Sequence, residues 1–303
     1  MLECCTLGTG GALPLPTRAL ASLYVRVNGR GLLIDCGEGT QTGVRRLGWG
    51  FINIDAVLLT HYHADHCGGL PGLLLSIAKA KRTTPLHLYG PTGLRRVFEG
   101  LMVVAPTLTF PVVLHELTGS EPSFSVIGLE ATPFPLHHSV PCLGYRLYLP
   151  RQAAFDPAKA RALGVPLPLW RQLQRGVPAE VNGRLVFPAE VLGAPRRGLT
   201  LLYATDTRPV QAIVQMGQEA DLMILEGMYG DDAKRAQALK NRHMIFHEAA
   251  ELARAAQAKR LALTHFSTCI DDPQAYLPSA QAIFPHTVAS YDGMCINLDY
   301  PKA

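Results

Sequence analysis

Short apolar runs separated by turn residues predict several buried strands in the first half of the chain. Residues 22–27 and 31–35 form two such runs, and Asn28 and Gly29 between them are typical of a tight β-hairpin turn. Helical patterns begin near Gly68 and again at residue 92. Further strand-like runs lie at residues 54–59, 86–89, 112–117, 124–127 and 132–136.

The second half alternates strands with helices more regularly. We predict strands at residues 199–203, 222–225 and 260–263, and helices at residues 210–216 and 246–257. Alternation of this kind is typical of α/β layers. Combined with the hairpin near the N-terminus, it predicts two mixed β-sheets face to face with helices outside.

Residues 155–195 differ from both halves, because they are rich in proline and poor in β-branched residues. Long insertions without a core of their own are usually functional or mobile. We therefore expect one domain over residues 1–303 that carries an inserted substrate-binding arm at residues 150–195. The arm contains helix-like pieces at residues 157–163 and 169–174 and four basic candidates for substrate contacts, Lys159, Arg161, Arg171 and Arg175.

Composition restricts the class of protein more than its activity. The 303 residues are 48% hydrophobic, which suffices for a large core, and no apolar run is long enough to cross a bilayer. The N-terminus lacks the pattern of a secretory signal, and the seven cysteines are scattered without CxxC spacing. These features predict reduced thiols and a cytoplasmic location. The net charge of +4 permits a polyanionic substrate without requiring one.

The most informative segment is residues 60–66, which follow the predicted strand 54–59. His61, His63 and Asp65 are two positions apart, so an extended backbone would direct all three side chains the same way, while His66 would project elsewhere. Imidazoles and carboxylates suit a zinc-like divalent ion. The segment therefore predicts ligands for two adjacent metal ions. A solvated, histidine-rich turn is the alternative.

Three more ligand-type residues each stand just past an apolar, extended run. They are His138, Asp206 and His265. Loops converge at strand ends, and functional residues concentrate on loops, so we expect these side chains to join the first cluster. The glycine-rich residues 8–11 lack the spacing of a nucleotide-binding motif, and we interpret them as a backbone turn close to the metal site.

The HxHxDH pattern of residues 61–66 resembles the metal signature of the metallo-β-lactamase fold. Other segments resemble ribonuclease Z, the endonuclease that trims the 3′ end of precursor tRNA. The matching segments are 7–10, 35–41, 60–66, 69–74, 144–146 with His138, 206–209 and 263–267. The resemblance implies a metallo-β-lactamase-like αβ/βα four-layer sandwich with a protruding helical, proline-rich arm.

The resemblance also implies a role for each ligand-type residue. His61, His63 and His138 would bind one zinc ion, and Asp206 would bridge to a second. The ligands of the second ion would be Asp65, His66 and His265, with Asp35 holding a ligand histidine in one tautomer. The ligand types do not distinguish zinc from manganese or iron.

The resemblance also implies which residues handle protons. Asp65 would orient or deprotonate the attacking water, and His243 would protonate the leaving oxygen with Glu226 as its orienting partner. The alternative for His243 is a surface histidine at a helix N-terminus. The neighbours of these residues differ from the usual family wording at residues 225–228 and at Met244 and Ile245.

The sequence therefore predicts a zinc-dependent endoribonuclease that removes the 3′ trailer of precursor tRNA, leaving a tRNA 3′-hydroxyl and a trailer 5′-phosphate. The resemblance implies a homodimer. Two alternatives stay open at this point. One is a metallo-phosphodiesterase or related hydrolase of small esters with the same di-metal site, and the other is a non-catalytic RNA-binding scaffold.

Overall fold

The structure, a computed structural model, describes residues 1–105 and 107–300. The chain divides into two compact units, of which the larger contains residues 1–148 and 200–299. The last three residues of the predicted domain lie outside the described residues. The strands among the described residues are β1 (Leu2–Gly8), β2 (Ser22–Val27), β3 (Arg30–Ile34), β4 (Ile54–Leu58), β5 (Leu86–Pro91), β6 (Val112–Leu117), β7 (Phe124–Val126), β8 (Leu129–Leu136), β9 (Cys142–Arg151), β10 (Ala179–Val181), β11 (Arg184–Val186), β12 (Arg196–Ala204), β13 (Leu222–Glu226), β14 (Leu261–Thr264), β15 (Thr287–Ala289) and β16 (Met294–Leu298).

None of the helices in residues 1–105 and 107–300 combines the length and apolarity needed to span a membrane. The α-helices are α1 (Thr40–Leu47), α2 (Ala64–Cys67), α3 (Leu70–Lys79), α4 (Leu94–Met102), α5 (Pro157–Ala162), α6 (Leu167–Gln174), α7 (Pro188–Val191), α8 (Gln211–Met216), α9 (Arg235–Asn241), α10 (Phe246–Ala255) and α11 (Leu277–Ile283).

Two mixed sheets of seven strands each organise the larger unit. The first has the order β16-β1-β2-β3-β4-β5-β6, and the second has the order β15-β14-β13-β12-β9-β8-β7. In the first sheet the strands from β3 to β6 are parallel, and in the second those from β12 to β15 are parallel. The ladders β16-β1-β2-β3 and β7-β8-β9 are antiparallel. These sheets confirm the predicted α/β fold class.

Apolar burial holds helices against each sheet. Leu70, Leu73 and Leu74 of α3 are buried with Leu33 and Val57 of the first sheet. On the second sheet, a matching cluster joins α8, α10 and α11 to β12, β13 and β14. Removing such side chains from water is the main favourable contribution to folding. The sequence therefore forms two apolar layers, one for each sheet.

Most predicted elements of the larger unit are present, with boundaries shifted by one to three residues. The hairpin turn has positive φ at Asn28 and Gly29 (51° and 78°), as its turn type requires. The strand β9 was not predicted, because its burial does not follow a simple alternation and it contains Gly144 and Pro150. The strands β15 and β16 and the helices α1, α9 and α11 were also missed.

The smaller unit contains residues 149–199 and Tyr300. Its predicted helices are present as α5 and α6, and Asp156 caps α5 by accepting hydrogen bonds from the backbone of residues 158 and 159. The hairpin β10–β11 was not predicted. The expectation that this segment lacks a core is wrong, because it buries an apolar cluster of its own: Ala160, Val165, Leu173, Ala179, Val181, Val186 and Val191.

Backbone segments approach closely behind the motif of residues 60–66. Cys36 donates to the carbonyl of His66 at 2.7 Å, and Gly69 donates to the carbonyl of Cys36 at 2.9 Å. A Cβ at Gly69 would lie 2.1 Å from the carbonyl oxygen of Gly37. Only glycine fits there, although its φ of −80° is open to any residue.

We predict that Gly69→Ala destabilises the protein by about 1–3 kcal/mol, because the added methyl group must displace backbone. Gly100→Ala is the matched control. Gly100 is an exposed helical glycine in α4 with open space around its Cβ position, so alanine there is expected to stabilise by about 0.5 kcal/mol. Urea unfolding of both variants measures the difference, and equal midpoints would contradict the close-approach argument.

Candidate metal centre

Five of the predicted site residues stand at one edge of the second sheet or next to it. Ala204 pairs with Leu225, and Leu225 pairs with Leu263, so the carboxyl ends of β12, β13 and β14 are in register. The site residues Asp206, Glu226 and His265 follow or end these strands, His138 follows β8, and His243 precedes α10.

The motif of residues 60–66 leaves β4 and turns into a short helix. His63 is extended, with φ −66° and ψ 150°, and α2 begins at Ala64. The expectation of an extended backbone through Asp65 is therefore wrong. Asp65 and His66 instead occupy one helical turn, which directs both toward a second group of side chains.

A first group consists of three imidazoles and one carboxylate oxygen. His61 Nε2 lies 3.0 Å from His63 Nδ1, and His138 Nε2 lies 3.3 Å from the same atom. Asp206 Oδ1 stands 4.0 Å from His61 Nε2 and 3.8 Å from His138 Nε2. The ligand atoms of these residues all lie within 4.8 Å of one another.

A second group shares Asp206 with the first. His66 Nε2 and His265 Nε2 are 3.0 Å apart, and Asp206 Oδ2 lies 3.1 Å and 3.2 Å from them. Asp65 Oδ2 is 3.5 Å from each of the two nitrogens. The two oxygens of Asp206 thus face different groups.

The tautomers of these rings direct lone pairs inward. His66 Nδ1 lies 2.8 Å from Asp35 Oδ2, and Asp35 Oδ1 accepts hydrogen bonds from the backbone and hydroxyl groups of Thr60. Since the Thr60 hydroxyl donates to Asp35, it accepts from His61 Nδ1 at 3.0 Å. In a neutral ring this arrangement leaves the lone pair on the Nε2 atoms of His61 and His66, as a metal ligand requires.

The arrangement fits a divalent metal. Two nitrogens on one tetrahedral zinc ion, with bonds of about 2.1 Å, lie roughly 3.3 Å apart, close to the 3.0–3.3 Å observed. A cation between these nitrogens would accept their lone pairs. Asp206 Oδ2 is buried, and its nearest ring nitrogens are those of the second group of ligand-type residues. The fold and these clusters make this a site for divalent metal.

Charge in the buried site also favours a cation. Burial and the neighbouring histidine His66 lower the pKa of His61 to about 2, which keeps it neutral. Burial alone would raise the pKa of Asp206, but the surrounding histidines hold it well below its usual range. Burial opposes protonation of His66, yet Asp206 and Asp35 raise its pKa well above the ordinary value. The negative potential that stabilises a proton there also stabilises a metal ion.

A loop that sequence reasoning only partly anticipated closes one side of the site. The backbone N–H of Ala12 donates to Asp65 Oδ2 at 2.7 Å, and a Cβ at Gly11 would lie 2.6 Å from the His265 ring. The carboxylate of Asp292 holds this loop by accepting from Thr9 and from the backbone of residue 19. Asp292 and Ala12 give no signal in the sequence, because their partners are distant along the chain.

His243 and Glu226 form a pair beside the two groups. His243 Nδ1 is 3.0 Å from Glu226 Oε2 and 3.8 Å from Asp206 Oδ1. Glu226 is fully buried and also accepts hydrogen bonds from the backbone of Thr207 and Met244. Burial acts to lower the pKa of His243, but the charge and hydrogen bond of Glu226 outweigh it and raise the pKa to about 9.

A cleft of about 500 Å³ opens onto both groups. Its lining includes residues of both ligand groups together with His243, and its rim includes Lys240 and Arg242. Arg242 Nη1 donates to the carbonyl of His138 at 2.6 Å. The four basic residues predicted to contact substrate, Lys159, Arg161, Arg171 and Arg175, belong to the smaller unit, where all four are exposed.

Comparisons with known families agree with this geometry. The model of the metallo-beta-lactamase superfamily matches residues 17–150, and that of a beta-lactamase superfamily domain matches residues 159–266. The crystal structure of the short form of human tRNase Z is similar, with a TM-score of 0.70 and 26% identity over 98% of this chain and 99% of that chain. The fold of YhfI from Bacillus subtilis is also shared, with a TM-score of 0.69 and 19% identity over 97% and 98%.

Full-length relatives are closer still. A protein named Ribonuclease Z from Lachnospira eligens is 47% identical over 99% of this chain and 99% of its own length. Another protein of that name, from Clostridium kluyveri, is 45% identical over 100% of both chains. The chain therefore belongs to the ribonuclease Z family, within the metallo-β-lactamase superfamily.

Proposed function

We propose that this protein is a metal-dependent endoribonuclease that removes the 3′ trailer from precursor tRNA. The observation that carries the proposal is the shared Asp206 between two ligand groups, with the His243–Glu226 pair beside it. Relatives at 45–47% identity over 95–100% of the chain, all named Ribonuclease Z, support the substrate. Water would add to phosphorus, the bond to the 3′-oxygen would break, and the products would carry a 3′-hydroxyl and a 5′-phosphate.

We propose zinc as the metal, because imidazole nitrogens dominate the ligand set. The first ion would be held by His61, His63 and His138, the second by Asp65, His66 and His265, and Asp206 would bridge them. When bound, such a pair of ions supplies a water of lowered pKa and neutralises charge on the phosphoryl oxygens.

Asp65 would orient the attacking water. Its Oδ2 is fixed by the N–H of Ala12, so the carboxylate can hold one direction. Burial acts to raise the pKa of Asp65, but its contacts with His265 and His66 keep the pKa below the usual range. A carboxylate with a low pKa stays ionised at neutral pH, so Asp65 would orient the water by accepting a hydrogen bond from it.

His243 would protonate the departing 3′-oxygen. Among the described residues, the contacts of the His243 ring with acids use Nδ1, which leaves Nε2 for the cleft that His243 lines. With a pKa of about 9 the imidazole is protonated at neutral pH. Glu226 would both orient the ring and keep it charged, so the pair supplies a proton where the leaving group needs one.

The smaller unit would bind the body of the tRNA through phosphate contacts. Lys159 and Arg161 are exposed on either side of the buried Ala160 in α5. The Arg161 guanidinium lies 5.6 Å from the centre of the Trp170 ring, which restricts its position. Arg171 and Arg175 are exposed at α6. A cytoplasmic location and a homodimer stay predictions of the sequence.

The defining experiment incubates the zinc-loaded protein with a precursor tRNA and maps both new ends. We expect cleavage at the start of the trailer, loss of cleavage after chelation, and its return when zinc is added. Asp206→Asn should reduce bound metal and lower the rate at least about 100-fold, because the shared carboxylate loses its charge.

Asp221→Asn is the matched control for that variant. Asp221 is also buried, but it lies at the opposite end of the same sheet, where it accepts from Thr200 and pairs with Lys259. We expect the Asp221→Asn variant to be less stable than the unmodified protein and to keep its metal. Cleavage of a small aryl phosphodiester without any cleavage of precursor tRNA would refute the proposed substrate and favour the alternative hydrolase.

We predict that Glu226→Gln moves the alkaline limit of kcat to lower pH. The raised pKa of His243 keeps it protonated up to about pH 9, and activity is lost as pH rises through that value. Removing the charge of Glu226 should lower this limit by about one to two pH units. The measurement is single-turnover cleavage between pH 6 and 9.5. Glu251→Gln, at an exposed partner of His247, should leave the limit in place.

We predict a weaker binding constant for tRNA when neutral residues replace Lys159, Arg161, Arg171 and Arg175 together. The binding constant should also depend less on salt concentration. Each lost phosphate contact should reduce the slope of log K against log salt by about 0.9. Replacement of Arg45, Arg46, Lys81 and Arg254, which are exposed in the larger unit, removes the same charge. Filter binding at several salt concentrations compares the two sets, and equal slopes would mean that the four residues are ordinary solvated charges.

A further inference from the structure

A general acid needs a fixed direction as well as a suitable pKa. The backbone around His243 is held in place by several hydrogen bonds. His243 N donates to the carbonyl of Ala238 at 2.9 Å, and Met244 N donates to Glu226 Oε2 at 3.2 Å. Ile245 N donates to Glu248 Oε2 at 3.1 Å. The remaining main-chain group of His243 is its carbonyl.

That carbonyl accepts a hydrogen bond from Arg208 Nη1. The same guanidinium makes a two-pronged pair with Glu248, through Nη1 to Oε2 at 2.9 Å and Nη2 to Oε1 at 2.5 Å. The side chains of Arg208 and Glu248 are 13% and 6% exposed. A planar guanidinium held at both nitrogens has little freedom, so it fixes the carbonyl in direction.

Arg208 also belongs to the loop that carries the shared ligand, two residues after Asp206. In this loop Thr207 N donates to Glu226 Oε1, and Arg208 N donates to the carbonyl of His137 at 3.1 Å. One three-residue loop therefore contacts the segments of His138, Glu226 and His243. Its arginine is the member that reaches His243.

We propose that Arg208 is a positioning residue for His243, which sets the angle between the general acid and the leaving oxygen. The inference rests on the proposed function, because it assumes that His243 donates the proton. Arg208 touches neither the cleft nor a ligand atom in any described contact, so it acts through the His243 backbone. Misplacement of a catalytic group by about 1 Å can cost a factor of roughly 100 in rate.

The competing explanation is that Arg208 serves only to neutralise the charge of Glu248. A comparison with Arg235 distinguishes this role from the positioning of His243. Arg235 Nη1 lies 3.8 Å from Glu248 Oε1, its side chain is 53% exposed, and the described contacts do not join it to the His243 carbonyl. Both arginines contribute charge near Glu248. Only Arg208 contacts the segment that carries the acid.

The experiment compares two leaving groups in the zinc-loaded protein. Precursor tRNA releases a 3′-alkoxide, which needs a proton, whereas bis(p-nitrophenyl) phosphate releases p-nitrophenolate, which does not. Arg208→Lys keeps the charge but loses the fork. We expect its single-turnover rate on precursor tRNA to fall about 30- to 100-fold and its rate on the aryl ester to change less than about threefold, with KM and metal content retained.

His243→Ala provides the reference pattern, and Arg235→Lys should leave both rates unchanged. The double variant Arg208→Gln/Glu248→Gln removes the pair without leaving a buried charge alone, and it decides the matter if Arg208→Lys folds poorly. Equal losses on both substrates, no loss on either, or loss of metal from both variants would overturn the proposal while the tRNA nuclease stands. If His243→Ala itself shows no preference between leaving groups, the general-acid assignment fails, and the inference fails with it.

Discussion

The carboxylate of Asp206 is the group on which the rest of the site depends. Its two oxygens face two sets of imidazole nitrogens, and it is 2% exposed. A buried charge of this kind is costly unless it is paired. Its location depends on β12 ending in register with β13 and β14, because Glu226 ends β13 and His265 follows β14. The parallel ladder of β12, β13 and β14 therefore brings the carboxyl ends of these strands, and the site residues there, close together.

Three residues of the site adopt a left-handed backbone conformation. Asp35, Asp206 and His265 all have positive φ, of 61°, 57° and 58°. Left-handed conformations cost a non-glycine residue of order 1 kcal/mol each. Each of these residues leaves a strand and must turn its side chain back toward the site within one or two residues. The strain persists because the surrounding ladders and hydrogen bonds over-determine the loops, as the three contacts of Asp35 illustrate.

The ligand-type residues that the sequence singled out lie together in the structure for a physical reason. Each follows an apolar run, and strand ends that meet at one edge of a sheet are recognisable from those runs alone. Three features left no such trace. The turn of Asp65 and His66 into α2 depends on one helical turn, too short for a periodic pattern. Asp292 and Arg208 act through partners 283 and 35 or more positions away. The core of the smaller unit comes from scattered alanines and valines, which have no obvious period.

Some residues next to Glu226 and His243 differ from the usual family sequence. Their backbone contacts explain why these differences leave the pair intact. Met244 and Ile245 are fully buried, so their side chains fill apolar clusters, while their N–H groups hold Glu226 and Glu248. Any residue except proline supplies that N–H. Gly227 leaves room for Phe246, whose ring would lie 2.6 Å from a Cβ there. The chemistry thus needs Glu226 and His243 as side chains, and the residues between and around them mainly as backbone, which is why their identities can change while the geometry of the pair is kept.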